Sequence, residues 1–247
     1  MQFPTTRWDE LAQASLHGDA TARQALDEFC RRYWEPVNAF IRWKGYGEAE
    51  AADLTQEFFL NFVETRSWRR ADRLRGRFRT FLLGALSRRL ANARLHQTRL
   101  KRGGDSPPVS LEETGADADA GMTLPTVPPA DAAHFDREWA IRVLAVALDA
   151  IREEYAAKGK ERIFATLRVF LTATRTPPTY EQVAAELRLG LGAVKTEIHR
   201  LRQALGAALR AEISRTVSAP HEIEAEVRHL RDVLTSHGGD IDAPRET

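Results

Sequence analysis

With 247 residues, a net charge of +1 and a single cysteine, Cys30, the chain has room for two modest cores but for no intrachain disulfide and no thiolate zinc finger. The N-terminus lacks the basic-then-apolar pattern of a secretory signal, and no apolar run approaches the ~20 residues of a membrane helix, so a cytoplasmic protein independent of any membrane is expected. Charge is uneven along the chain: residues 66–102 hold 13 Lys/Arg against one acid, Asp72, whereas residues 103–138 hold eight acids against one base, Arg137. That is the pattern of a nucleic-acid-facing segment followed by an acidic linker.

Helical spacing recurs throughout and strand-like alternation is scarce, so the fold is expected to be all-α. A short helix is expected from Thr6 to about Leu16, with Trp8, Leu11 and Ala12 on its apolar side. A second, over about 19–34, places Ala22, Leu26, Phe29 and Tyr33 on one face. Pro36, which lacks an N–H, should then kink or break it before Val37, Phe40 and Ile41 resume the pattern. Gly45 and Gly47 end the segment.

From Glu48 to Glu64, Leu54, Phe58 and Phe62 fall at i, i+4 and i+8, joined by Ala51, Phe59 and Val63 on a core-seeking side. Asp53, Glu57, Asn61 and Glu64 make a separate acidic and amide strip, with Gln56 beside it. A solvated face is the plain reading of such a strip; acid/base chemistry or metal binding finds no nearby histidine to support it.

The next stretch, Arg66 to Arg79, interleaves Trp68 and Phe78 with arginines, Arg77 and Arg79 among them. Such a mixture can neutralise phosphates and stack unpaired bases, or its aromatics can be core anchors. Phe78 begins the series Phe78, Leu82, Leu86, Leu90 on a helix expected from near Gly76 to Leu95 or beyond. Arg88, Arg89, Arg94, Arg99, Lys101 and Arg102 populate that helix's polar side and exit, an imbalance that favours a polyanionic partner.

Residues 103–131, rich in Gly, Pro, Asp, Ala and Thr, carry too little apolar surface to offset chain ordering and are expected to be a flexible linker. A helix over about His134–Ala157 (Trp139, Val143, Val146, Leu148, Ile151) and another over Glu161–Ala173 open the second domain. Thr179 then stands at an N-cap with Gln182 three residues on, the spacing of a capping box. Val183, Ala184 and Leu187 repeat at helical spacing up to Leu189-Gly190-Leu191-Gly192, where glycine can take the positive φ of a sharp turn. A second helix carries Val194, Ile198, Leu201 and Leu205 on one side, with Lys195, Thr196, His199, Arg200 and Arg202 largely on the other. Short helix, turn and longer basic helix make a helix-turn-helix, or an ordinary helical hairpin with a solvated basic face. Beyond Pro220, Ile223, Val227, Leu230 and Leu234 form one more amphipathic strip, expected to dock on its own domain or on a partner. The tail after Gly238 is expected to be disordered.

Two segments coincide with one family. Asp53-Leu54-Thr55-Gln56-Glu57-Phe58-Phe59 resembles the region 2.2 motif of bacterial sigma-70-type RNA polymerase sigma factors. Tyr180-Glu181-Gln182-Val183-Ala184 through Ala193-Val194-Lys195-Thr196-Glu197-Ile198-His199-Arg200 resembles their region 4.2. Their order, with a linker in place of the region 3 domain, is similar to the extracytoplasmic-function (ECF) group. The resemblance implies a promoter-specificity subunit whose partners are core RNA polymerase and promoter DNA. It implies a region 2-like domain over 1–102, a linker over 103–131, a region 4-like domain over 132–212 and an extension over 213–247. Asp53, Gln56, Glu57 and Asn61 would dock on the polymerase. Trp68, Arg77, Arg79, Arg88, Arg89 and Asn92 would handle the opened −10 strand, and Lys195, Thr196, His199, Arg200 and Arg202 the −35 duplex.

One stretch departs from the family. Where many ECF factors carry Trp-Leu-x-x-Ile-Ala-x-Asn, this chain has Phe81-Leu82-Leu83-Gly84-Ala85-Leu86-Ser87-Arg88, which leaves the −10 bases unassigned. The extension beyond residue 212 exceeds the minimal two-domain pattern and is expected to regulate in cis or to bind a regulator such as an anti-sigma protein. No Walker loop, no Gly-x-Ser-x-Gly and no His-x-Glu with Cys-x-x-Cys occurs, so an enzyme acting on nucleic acid is not expected, nor is a small-molecule substrate, a cofactor or a metal. A free-standing helix-turn-helix regulator is the competing function.

Overall fold

The computed structural model describes residues 20–65, 78–101, 127–171, 176–217 and 220–236. Among them are eight α-helices and no strand, the all-α class expected. They are α1 (Ala20–Trp43), α2 (Glu48–Glu64), α3 (Phe78–Lys101), α4 (Pro129–Ala157), α5 (Glu161–Leu167), α6 (Tyr180–Leu187), α7 (Leu191–Ser214) and α8 (Ile223–Ser236). Single 3-10 turns follow α5 at Arg168–Phe170 and precede α8 at Pro220–Glu222. No helix among the described residues is long and apolar enough to cross a membrane. The helix expected at Thr6–Leu16, the tail after Gly238, and Trp68 and Arg77 lie outside the described residues.

Packing sorts the chain into two compact units. One gathers the described residues up to Pro36 with those from Asp136 onward; the other is Val37–Phe135. The divisions therefore fall inside α1 and inside α4. Pro36 does not break α1: the helix runs through it, and the proline is buried. Of the stretch 103–131, Pro129 to Asp131 are already the first turn of α4.

The Val37–Phe135 unit has a core of Val37, Phe40 and Ile41 from α1, Phe58, Phe59 and Phe62 from α2, and Leu82, Leu83, Leu86 and Leu90 from α3, all buried. Phe78, expected to head the α3 series, is half-buried and packs on Phe81, with centroids 6.1 Å apart. Gly45 at φ +95° lets the chain leave α1 sharply. The first turns of α4 are held to the end of α1 by Lys44–Asp131 at 2.6 Å, by Trp43 stacked on His134 (4.4 Å, 13°) and by Phe135 edge-on to Phe40.

In the other unit, Ile151, Tyr155, Phe164, Leu167, Val183, Ala184, Val194, Ile198 and Leu201 form one cluster that seats α6 and α7 on α4 and α5. The N-terminal half of α1 is tied in by Arg32–Glu212 at 2.6 Å and Glu35–Arg142 at 3.0 Å. The helix beyond Pro220 docks on its own unit. Leu230 is buried, Arg210 of α7 meets Glu224 at 2.6 Å, and His229 meets Asp136 at 2.9 Å.

Candidate nucleic-acid interface

The local sequence builds the α6–turn–α7 pair end by end. The Gln182 N–H donates to Thr179 Oγ1 at 3.2 Å and the Thr179 N–H donates to Gln182 Oε1 at 2.8 Å, a complete capping box at the start of α6. Each bond satisfies a backbone donor that the first turn leaves without a helical acceptor.

At the other end of α6 the turn differs from expectation. The left-handed residue is Arg188 (φ 54°, ψ 44°), not a glycine, and Gly190 (φ −72°, ψ 151°) is the extended N-cap of α7. The Leu189 N–H reaches the Ala184 carbonyl at 3.0 Å and the Arg188 N–H the Ala185 carbonyl at 3.3 Å. These are the two bonds of a Schellman ending, which turns over one residue after the helix and so reaches its left-handed position before the glycines arrive. Leu189 packs against the core cluster, giving that ending its apolar contact. A Cβ at Gly190 or Gly192 would meet nothing within 4 Å, so close packing does not require glycine at either position.

On α7, Val194, Ile198 and Leu201 are buried, and Lys195, Thr196, His199, Arg200 and Arg202 are all exposed. Lys195, His199 and Arg202 follow one another at i, i+4 and i+7, with Thr196 and Arg200 alongside, so the five share a continuous surface. Thr196 Oγ1 donates to the Gly192 carbonyl at 2.9 Å, which commits its proton and leaves its oxygen to accept.

One α7 side chain had no assigned role from sequence. Glu197 is buried at 7 % exposure. Its Oε1 accepts from Lys160 Nζ at 3.3 Å and its Oε2 from Arg200 Nη1 at 3.1 Å, and the Tyr155 hydroxyl is also hydrogen-bonded to it. Burial pushes this carboxyl up, but the bonds from Lys160 and Arg200 outweigh it and hold the group below the ordinary carboxylate range. Burial, with the neighbouring Glu197 charge, pushes Tyr155 up to about 12. The sequence does carry a signal for Glu197: an acid three residues after Val194 and four before Leu201, at core-facing spacing on a helix whose other charges near it are basic.

The second candidate surface lies in the Val37–Phe135 unit. Asp53, Gln56, Glu57 and Asn61 are all exposed on α2. Leu60, which apolar spacing does not single out, stands among them at 53 % exposure. On α3, Asn92 is exposed and Arg88 and Arg89 are half-buried, with Arg89 Nη2 donating to Glu57 Oε2 at 2.9 Å. Arg79, expected to handle the opened strand, is buried at 5 % exposure. No cluster of potential metal ligands occurs among the described residues. The chain matches no family model, no curated protein and no solved structure.

Proposed function

We propose that the chain is an ECF-type sigma factor: a non-enzymatic subunit that binds core RNA polymerase and directs it to promoters. The observation that carries the reading is the pairing of two unlike surfaces with the two motifs. An acidic and amide strip that also carries Leu60 lies on α2 and begins within the segment that resembles region 2.2. A basic strip lies on the second helix of a capped helix-turn-helix, within the segment that resembles region 4.2. Asp53, Gln56, Glu57 and Asn61 dock on the polymerase. Arg88, Arg89 and Asn92, with Trp68 and Arg77 from outside the described residues, approach the opened strand. Lys195, Thr196, His199, Arg200 and Arg202 meet the upstream duplex.

A free-standing regulator that reads duplex DNA by itself would use the same α7 surface, but it gives no role to the α2 strip. Run-off transcription with core polymerase and a genomic promoter library tests the proposal, with a gel shift on the chain alone beside it. Promoter-specific transcripts and duplex binding that needs core polymerase are expected. Tight duplex binding without polymerase, and no transcripts with it, would overturn the proposal in favour of the regulator. Within it, Arg200→Ala should weaken upstream-element binding by about 1–3 kcal/mol if Arg200 reads a base, or lower the salt slope by about one if it meets phosphate.

A further inference from the structure

A carboxylate on a helix that meets DNA is ordinarily a source of repulsion, or else a direct reader of cytosine through its amino group. Glu197 fits neither role. It is buried, and donors from Tyr155, Lys160 and Arg200 already occupy its oxygens. Lys160 and Arg200 together outweigh its charge, so the trio presents a net positive charge to a polyanion.

Arg200 is different. Its side chain is 62 % exposed, and only its Nη1 is committed to Glu197. A guanidinium has five N–H donors in a rigid fork. Anchoring one arm to a buried group restricts the orientations of the fork while most of the side chain stays exposed. The anchor is itself held by groups from two other elements, because Tyr155 comes from α4 and Lys160 from the turn before α5. A free arginine of this length would sample many rotamers and favour the nearest phosphate; one held in a single plane can match the paired acceptors of a base edge.

We infer that Glu197 is a positioning residue that sets Arg200 to read one base in the upstream duplex, so that sequence preference at that position depends on a side chain that does not itself touch DNA. The inference rests on the α7 surface facing DNA, as proposed above.

The test uses the full chain with core polymerase and a pool of duplexes randomised across the upstream promoter region, sequencing what is retained. Wild type should enrich particular bases at several positions, and Arg200→Ala should lose the preference at one of them. Glu197→Gln should lose preference at that same position by about tenfold while keeping the others. Glu197→Asp, which keeps the charge but is one methylene shorter, should lose it as well. Lys160→Met, which removes one of the two groups that hold the anchor but leaves the Glu197–Arg200 bond in place, should reduce the preference at that position less than either Glu197 variant does. Retention of that preference in both Glu197 variants overturns the inference and leaves the interface reading intact. So does a uniform loss across all positions that follows a lowered melting temperature. A wild-type complex that enriches no upstream sequence overturns the interface reading and takes this inference with it.

Discussion

Arg89 on α3 bonds to Glu57 on α2 at 2.9 Å, so one ion pair joins a residue of the proposed polymerase-docking strip to a residue of the proposed strand-contacting face. Glu57 is more than half exposed, which makes the pair a surface one worth about 0–1 kcal/mol to the fold. Glu57→Ala should therefore leave the denaturant midpoint nearly unchanged while freeing Arg89. Weaker association with core polymerase and altered strand opening, measured separately by pull-down and permanganate footprinting, are expected together. If Glu57→Ala changes neither, the pair is only a surface contact.

Leu60 offers a cleaner separation of fold from docking. At 53 % exposure it contributes little to its own core, so Leu60→Ala should shift stability by no more than about 0.5 kcal/mol. An apolar side chain buried by a partner is worth about 1–2 kcal/mol, so affinity for core polymerase should fall about five- to thirtyfold. Titration of fluorescent core polymerase with the two proteins measures the difference; equal affinity would remove Leu60 from the docking surface.

Arg188 carries the strain of the turn between α6 and α7. A non-glycine residue in the left-handed region costs about 1–2 kcal/mol, and glycine there costs the unfolded chain's extra freedom of about 0.5–1 kcal/mol. Arg188→Gly should thus stabilise the protein by up to about 1 kcal/mol, read as a higher urea midpoint with an unchanged slope. Arg188→Val, a β-branched residue in the same conformation, should do the reverse. If Arg188→Gly lowers the midpoint, the turn is not held in this conformation in solution.

The Glu197 and Tyr155 pair should show in the pH dependence of stability. Glu197 is held below its ordinary value in the fold, so its contribution is present above the unfolded value near 4.5 and is lost as pH falls through the lower folded one. The stability gap between wild type and Glu197→Gln, about 1–3 kcal/mol at neutral pH, should narrow as pH falls below 4.5 and close once the pH is below the lower folded value. Tyr155 is shifted the other way: its contribution is complete below about pH 10 and is lost as pH rises through about 12. Absorbance at the tyrosinate band, compared with Tyr155→Phe, follows that step. An acid-insensitive gap would show that the carboxylate is not charged in the fold.

The sequence by itself determined whatever depends on neighbours within a turn or two of helix. The Thr179–Gln182 capping box, the buried Phe58 and Phe62, the Leu82–Leu86–Leu90 series and the exposed strips on α2 and α7 were all legible, because helical spacing fixes which side chains share a face. Tertiary structure alone decided what lies opposite each face. Glu197 sits at a position that spacing marks as core-facing, and it is tolerated there because Tyr155 and Lys160 arrive from some forty residues away with donors. Leu60 is outside and Arg79 inside, against their hydropathy, because the packing of α2 and α3 and not the polarity of one residue sets where the interior ends. Helix α1 runs through Pro36 because contacts on both sides of the proline, Arg32 with Glu212 and Phe40 with Phe135, hold its two halves helical although one backbone hydrogen bond is missing.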